Sequence, residues 1–158
     1  MDSGVIWRVL DPKHPEREPC LELVRKCFIQ KPELMFGLNA VVVVETMILL
    51  VKRSKIDPRT ASSLLWNGFL RSESKVAVYP IYRDTLREAL NLQSKNPEIE
   101  YPDCAIAATM KENGITSIYT TNPKHFKRFS FIKEAIDPRG HNSQSSSTWV
   151  QRSGSNLS

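Results

Sequence analysis

Apolar and polar positions along the chain follow two repeating patterns, and each pattern predicts one kind of element. Apolar side chains recur every three or four residues in three segments, which are predicted as amphipathic helices: 14–30, with its regular part starting near Glu16 to Cys20, 57–72 and 83–95. The Ala-rich segment 103–114 is predicted as a fourth helix. Segments 74–83 and 115–122 are rich in β-branched and aromatic residues and are predicted as strands, with a closing edge strand at 131–138. Helices that alternate with short apolar strands are typical of an α/β sandwich with a mostly parallel sheet.

The segment "LNAVVVVETMILLV", residues 38–51, is almost entirely apolar. Its consecutive valines favour a strand, whereas its length and its continuation favour a helix. We therefore predict a short extended piece at 38–42 that leads into a helix at 43–54. Glu45 lies inside this run, and an unpaired carboxylate in apolar surroundings either costs several kcal/mol or stays protonated. A functional role would explain why a carboxylate is kept at this position.

The two later helices carry more specific predictions. In the helix at 83–95, the stripe expected to be buried consists of Leu86, Ala89 and Leu90. In the next helix, Asp103 stands at the position of an N-cap and Gly114 at the position of a terminator. Capping alone would account for Asp103, so its position does not by itself indicate a function.

Composition limits the class of protein. The chain has 158 residues, of which 41% are hydrophobic and 25% are charged, and this matches one globular domain with a real core. The cysteines make no CxxC pair and lack histidines at zinc-finger spacing, so neither a disulfide framework nor a structural zinc site is expected. The formal net charge of +5 permits a polyanionic partner without requiring one.

Neither a membrane span nor a secretory signal is expected. The longest apolar run is interrupted by Asn39, Glu45 and Thr46, and the first residues lack a basic stretch followed by an apolar core. We therefore expect a cytoplasmic protein with no membrane association. Residues 1–138 are predicted to form the domain, and the Ser-rich segment 139–158 is predicted to be a disordered tail because it has too little apolar content to order.

Four polar side chains are expected to meet at one edge of the sheet: Asp2, Glu45, Asp103 and Asn122. In parallel sheets, functional groups gather at the carboxyl ends of the strands. Three converging carboxylates repel each other unless a cation neutralises them, and a hard ion such as Mg²⁺ prefers an oxygen-only ligand set. Such an ion polarises a phosphodiester and activates a bound water, so hydrolysis of nucleic acid is indicated. Ser3 is expected to help orient that water.

Four short segments form an ordered set along the chain: "DSGVI" at 2–6, "VVVVETMILL" at 41–50, "YPDCAIAAT" at 101–109 and "IYTTNPKHF" at 118–126. This set is similar to the motifs of the PIN-domain nucleases and, among them, of the VapC-type ribonuclease toxins. The resemblance implies a PIN-like three-layer α/β/α sandwich with a mostly parallel central sheet. It also implies a Mg²⁺- or Mn²⁺-dependent endoribonuclease whose metal-activated water attacks phosphorus and leaves a 5′-phosphate.

The resemblance also assigns roles and partners. Metal binding and catalysis fall to Asp2, Glu45 and Asp103, with Asn122 and Ser3 assisting. The implied partners are an RNA substrate, a second copy of the chain in a homodimer and, for a toxin, an antitoxin protein that covers the acidic cleft.

Three departures from the family pattern bear on the site. Only Met1 precedes Asp2, where the family has a complete apolar strand, so either the true start lies upstream or the sheet lacks a strand and Asp2 lies on a fraying end. In place of the fourth acid the chain offers Asn122 or, three residues on, His125. Gly4 stands where the family has an asparagine, and it cannot make that side-chain contact.

These departures keep a second interpretation open, a degenerate PIN domain that binds RNA or a protein without cutting. A receiver-like signalling domain is disfavoured, because it would need an acidic pair and a phospho-acceptor aspartate on early strands. Asn39 is expected to satisfy local backbone groups, and His125 is expected to be exposed. The basic cluster at 124–128 is expected to be a solvated face that, beside an acidic site, could hold a phosphate backbone.

Overall fold

The computed structural model describes residues 1–30, 35–71 and 74–140. Within them the helices are α1 Ser3–Leu10, α2 Arg17–Gln30, α3 Ala40–Ile48, α4 Pro58–Leu65, α5 Arg83–Lys95, α6 Tyr101–Glu112 and α7 Pro123–Phe126. The strands are β1 Phe36–Asn39, β2 Val76–Tyr79, β3 Ser117–Tyr119 and β4 Glu134–Ile136. A π-helical turn extends α3 over Leu49–Arg53, another extends α4 over Trp66–Leu70, and a 3-10 turn covers Pro138–Gly140. The strands are shorter than predicted, but the element types agree from α2 onward.

The sheet consists of two parallel pairs that are joined by the first two residues. Strand β1 pairs with β2, and β3 pairs with β4. Between them, the Met1 amino group donates to the Gly37 carbonyl of β1 at 3.1 Å, and the Asp2 N–H donates to the Tyr119 carbonyl of β3 at 3.0 Å. The backbone of residues 1 and 2 therefore occupies the centre of the order β2-β1-β3-β4.

Helix α1 was not anticipated by the sequence. No helix was predicted at 2–6, yet only Met1 and Asp2 are extended, and Ser3 begins the helix. The reason is local, since the Asp2 side chain accepts the Val5 N–H and so starts a helix at the next residue. Val5 and Ile6 are fully buried, which anchors the helix in the core.

The valine run belongs to helix α3 rather than to a strand. The predicted boundary between residues 42 and 43 is wrong, because β1 ends at Asn39 and α3 begins at the next residue. Asn39 is the N-cap: its Oδ1 accepts the Val42 N–H at 3.1 Å. Its amide also donates to the Thr109 hydroxyl of α6 at 2.9 Å, so the cap is tied to a second helix. Asn39 thus serves backbone and packing needs, as expected.

Helix α5 matches its prediction in extent but not in its buried face. Ala89 is buried as predicted, together with Thr85 and Leu92, whereas Leu86 is 43% exposed and Leu90 is 59% exposed. The helix packs against α6, and this packing leaves the two leucines exposed. They leave apolar surface exposed on α5.

Helix α6 lies at the centre of the fold and begins earlier than predicted. Residues 104–110 are all buried. The N-cap position is occupied by Glu100, so Asp103 lies in the first turn and is not the cap. Gly114 follows the end of the helix with a φ of +65°, in the left-handed region that glycine adopts without strain.

The remaining sequence predictions concern the cysteines, the membrane and the tail. Cys20, Cys27 and Cys104 are free thiols buried in the core. Across the described residues, no helix combines the length and the apolar character that a bilayer crossing requires. Of the predicted tail, 139–158, only Arg139 and Gly140 belong to the described residues, and the rest lies outside them.

Candidate active site

Asp2 is fixed at the N-terminus of α1 by hydrogen bonds from two elements. Its Oδ1 accepts the Val5 N–H at 2.9 Å. Its Oδ2 accepts the Thr120 hydroxyl and, at 3.3 Å, the Thr121 N–H, both from the loop that follows β3. Asp2 is only 5% exposed. The expectation of a fraying end is therefore wrong, because long-range hydrogen bonds hold Asp2 against the end of β3.

Glu45 reaches the same edge from helix α3. Val42 and Thr46 of this helix are buried, and this orientation leaves Glu45 half-buried at the rim of the site. Its Oε2 accepts the Ser3 hydroxyl at 3.1 Å. Among the described residues, no other side chain donates a hydrogen bond to this carboxylate. Glu45 is thus positioned by its helix and by one contact with the start of α1.

Asp103 approaches from the first turn of α6 and contacts α7. Its side chain is 19% exposed, and its Oδ2 lies 2.6 Å from Nδ1 of His125. The same ring nitrogen lies 2.6 Å from the side-chain amide nitrogen of Asn122. Of the two residues that the sequence offered in place of a fourth acid, His125 contacts Asp103 directly and Asn122 contacts His125. The expectation that His125 is exposed is wrong, since its side chain is only 29% exposed and its imidazole contacts a candidate catalytic carboxylate.

A continuous chain of hydrogen bonds joins Asp2 to Asp103. We call its three intermediate residues, Thr120, Asn122 and His125, the polar bridge. The Thr120 hydroxyl donates to Asp2 and accepts the Asn122 N–H at 2.9 Å. The Asn122 side chain then contacts His125, which contacts Asp103. One short loop thereby fixes two acids that are about a hundred residues apart in sequence.

Burial raises the pKa of each of the three acids. For Asp103, burial is the largest cause, the His125 hydrogen bond opposes it, and the charge of Asp2 adds to the rise in pKa. For Glu45, burial again dominates, the Ser3 hydroxyl opposes it, and the charges of Asp103 and Asp2 add to it. For Asp2, burial raises the pKa against the hydrogen bonds of its partners, of which the Thr120 hydroxyl is the largest. Because the charges of Asp2 and Asp103 raise the pKa of Glu45, and that of Asp2 raises the pKa of Asp103, the three carboxylates repel one another.

The start of α1 is shaped to fit this site closely. The Ser3 hydroxyl is the donor that holds Glu45, so Ser3 contacts a candidate acid directly. A Cβ atom on Gly4 would overlap the Thr121 hydroxyl. The glycine thus allows the first turn of α1 to pack against the loop that holds Asp2.

Two arginines border the site, and no sequence pattern pointed to either of them. Arg8 Nη1 donates to the Gly4 carbonyl at 2.9 Å, and Arg139 Nη2 donates to the Thr121 carbonyl at 2.7 Å. Glu16 pairs with both guanidinium groups, at 2.8 Å and 3.3 Å respectively. Neither arginine lies in a recognisable motif, and both contacts are to backbone carbonyls, so no local sequence signal marks them. Thr120 was missed for a related reason, although it stands two residues before Asn122.

The donor chemistry of the site fits a hard divalent cation. Asp2, Glu45 and Asp103 supply only oxygen atoms, and their repulsion would be relieved by a positive charge. Within residues 1–30, 35–71 and 74–140, no three His, Cys, Asp or Glu side chains are close enough to hold an ion together. Mg²⁺ commonly binds through one or two carboxylates and keeps several waters, so this spacing suits a water-rich site better than a closed cage.

Two comparisons with known proteins agree with this geometry. The sequence pattern of the PIN domain matches residues 1–132. The structure is similar to that of VapC20 from Mycobacterium tuberculosis, a sarcin-ricin loop cleaving toxin, with a TM-score of 0.63 and 18% sequence identity. The match covers 83% of this chain and 94% of the toxin. No curated protein matches the chain closely enough in sequence to count as a relative.

The comparisons confirm the predicted α/β/α architecture. At 18% identity, the likeness to VapC20 establishes the fold and nothing beyond it. The match to the PIN domain extends over the segments that hold Asp2, Glu45, Asp103 and Asn122. The chain belongs to the PIN domain family.

Proposed function

We propose that the protein is a divalent-metal-dependent endoribonuclease that hydrolyses RNA phosphodiester bonds. The observation that carries the proposal is that Asp2, Glu45 and Asp103 come from three separate elements and still lie near enough for their charges to repel one another. Buried carboxylates that repel each other are costly without a function or a cation. Membership in the PIN domain family supports a nuclease.

The proposed roles follow from the contacts of each residue. Glu45 and Asp103 would hold Mg²⁺ or Mn²⁺, with Asp2 completing the negative charge around the ion. The ion would activate a water for attack on phosphorus, which leaves a 5′-phosphate. Ser3 holds Glu45 through its hydroxyl, and the polar bridge holds Asp103 relative to Asp2.

Exposed basic side chains beside the site suit an RNA backbone. Lys124 and Lys127 lie on or next to α7, within two residues of His125, and both are exposed. Charge reversal of both lysines is expected to weaken RNA binding and to reduce its salt dependence. The slope of the logarithm of the binding constant against the logarithm of salt concentration should fall in magnitude by about one for each phosphate that is no longer bound. The matched control is charge reversal of Lys52 and Arg53, exposed on the π-helical turn after α3, which should leave both quantities unchanged. Equal effects of the two pairs would remove the assignment of RNA to this face.

Toxin function, an antitoxin partner and a homodimer belong to the same proposal. VapC20 is a toxin, and its similar fold supports the comparison. Apolar side chains are exposed on α3 and α5, including Val44 at 57% and Leu90 at 59%, and they provide surface for a protein partner. Expression in bacteria with and without the adjacent reading frame, followed by growth and by measurement of the complex mass, tests these partners. We expect that bacteria stop growing when this protein is expressed alone, and that they grow when the product of the adjacent reading frame is expressed with it.

The catalytic proposal is tested by cleavage of a labelled structured RNA with purified protein. We expect cleavage with Mg²⁺ or Mn²⁺ and none with a chelator. The downstream product is expected to carry a 5′-phosphate. The Asp103→Asn variant should be inactive under every condition. The proposal would be contradicted if the wild-type protein cleaved RNA no better with metal than with chelator.

A second candidate function is RNA binding without cleavage. The hydrogen bonds of Asp2 favour it, because both carboxylate oxygens already serve the fold. Under this alternative the protein binds RNA with the same affinity in chelator and in Mg²⁺, and Asp103→Asn binds as tightly as wild type without any product being formed.

The domain boundary is part of the proposal as well. The described fold ends at Gly140 and its last contacts with the body are those of Arg139. A chain ending at residue 140 is expected to unfold at the same temperature as the full chain and to keep its activity. A loss of activity in the shortened chain would assign a role to the Ser-rich segment.

A further inference from the structure

The geometry points to His125 as the positioning residue of Asp103, acting through a hydrogen on Nδ1 that it donates to Asp103 Oδ2. This inference deepens the proposed function and rests on it, since it concerns how one candidate ligand is presented to the ion. It assigns Oδ2 of Asp103 to the imidazole and leaves Oδ1 for the cation. It also fixes which atom of the Asn122 amide faces the ring.

Two contacts conflict at a single atom of His125. Nδ1 lies 2.6 Å from Asp103 Oδ2 and 2.6 Å from the Asn122 side-chain nitrogen. A ring nitrogen carries either one hydrogen or one lone pair, so it cannot donate to a carboxylate and accept from an amide at the same time. One of the two neighbours must therefore present a different group to the ring.

The ionisation of Asp103 decides between the two arrangements. If Nδ1 accepted from the Asn122 amide, Asp103 would have to carry a proton in order to bond to the same nitrogen. A carboxylate that binds a cation is ionised and can only accept. In the metal-binding state Nδ1 therefore carries the hydrogen, and the Asn122 amide turns its oxygen, which is an acceptor, toward the ring. The choice between amide oxygen and nitrogen is one that only the hydrogen-bond network can make.

The surroundings of His125 suit a positioning role. The next residue, Phe126, is fully buried and packs against Phe129, which anchors the backbone of α7. Both described hydrogen bonds of the ring are made by Nδ1, which leaves Nε2 outside the polar bridge. A neighbour that donates to a ligating carboxylate fixes its orientation, and losing such a partner typically lowers metal affinity or activity by roughly 10- to 100-fold.

This arrangement changes the expected role of Asn122. From the sequence, Asn122 or His125 was offered in place of the missing fourth acid. With its amide oxygen turned toward the ring, Asn122 is a member of the polar bridge, and its NH₂ group is available as a donor. The chain then replaces the fourth acid with a hydrogen-bonded pair that orients Asp103.

Two amide variants separate the ring nitrogens. His125→Asn places an amide N–H near the position of Nδ1, whereas His125→Gln places one near the position of Nε2. The probe is Mn²⁺ alone, titrated calorimetrically in the absence of RNA. We expect His125→Asn to bind Mn²⁺ within about threefold of wild type, and His125→Gln and His125→Ala to bind roughly 10- to 100-fold more weakly. Unfolding temperatures are measured for all three variants to confirm that they fold.

The second measurement is spectroscopic and needs no activity. The ¹⁵N shifts of the His125 ring, recorded at alkaline pH with and without Mg²⁺, are expected to show the tautomer with hydrogen on Nδ1. Hydrogen on Nε2 would overturn the inference, as would Mn²⁺ affinity that survives in His125→Gln and is lost in His125→Asn. Wild-type protein with no affinity for Mn²⁺ or Mg²⁺ counts against the proposed function, while the tautomer still decides the assignment of Nδ1.

Discussion

The two sides of the site are built in different ways. Asp2 and Asp103 are linked through the polar bridge, and both oxygens of Asp2 accept hydrogen bonds from the fold. Glu45 is placed by the face of a helix and accepts one described side-chain hydrogen bond, from Ser3. The first side serves stability and chemistry together, whereas Glu45 contributes charge with little structural role. Acids with the same candidate function should therefore respond differently to the same kind of substitution.

The largest expected effect is loss of activity without loss of fold. Glu45→Gln and Asp103→Asn should each lower the rate of RNA cleavage by at least about 100-fold, since even the partners of metal ligands are worth roughly 10- to 100-fold. Single-turnover cleavage measures the effect. Glu100→Gln is the matched control, because Glu100 is an exposed acid that interacts with both residues from outside the site. A comparable loss in Glu100→Gln would show that only the total charge matters.

The next effect separates the two sides by stability. Asp2→Ala removes a helix cap and leaves the buried Thr120 hydroxyl without its acceptor, so the free energy of unfolding should fall by about 1–3 kcal/mol. Glu45→Ala should change it by no more than about 0.5 kcal/mol, or raise it, because it removes a repelled carboxylate. Urea denaturation in the presence of chelator measures both. Equal destabilisation by the two variants would contradict the comparison.

Breaking the polar bridge at Thr120 should give a smaller effect. Thr120→Val removes the hydroxyl that donates to Asp2 and accepts from Asn122, and it should lower the free energy of unfolding by about 1 kcal/mol. Thr120→Ser keeps the hydroxyl and is the control. Cleavage should fall in Thr120→Val, because Asp103 is no longer linked to Asp2 through a fixed loop. Equal stability and equal cleavage in the two variants would mean that the polar bridge contributes to neither.

The smallest effect is a pH dependence that belongs to Glu45. Its pKa is raised in the folded state, mainly by burial, so between the ordinary carboxylate pKa of about 4.3 and the raised value the folded protein holds more protons than the unfolded chain. Wild-type stability should therefore fall relative to Glu45→Gln as pH rises through this window, and the difference should then level off. Denaturation curves in chelator from pH 4 upward measure it, and Mg²⁺ should diminish the difference. A gap between the two proteins that stays constant with pH would count against a raised pKa at Glu45.

Sequence patterns identified the site residues whose positions depend on local structure. Glu45 was found because apolar neighbours surround it, and Asp103 because it opens an alanine-rich helix. The burial of Asp2 could not be predicted, since it depends on Tyr119 and Thr120, more than a hundred residues away. Its contacts are made by the fold and leave no periodicity in the chain.

The same limit explains the other errors. His125 resembled a surface residue because its neighbours are basic, and its contact with Asp103 crosses from α7 to α6. The stripe of α5 was misjudged because helical spacing identifies an apolar face but not how much of it a neighbouring helix covers. The β propensity of the valines extended the predicted strand to residue 42, whereas the Asn39 cap starts the helix at residue 40.

The close approach of Gly4 to Thr121 has an evolutionary consequence. Any side chain at position 4 would meet the Thr121 hydroxyl, so the two positions are not free to change independently. A related chain that carries an asparagine in the first turn of α1 must have made room for it in the loop after β3, by a smaller residue or a different rotamer. Exchanging only one of the two segments between such relatives is therefore expected to require an adjustment of the other segment.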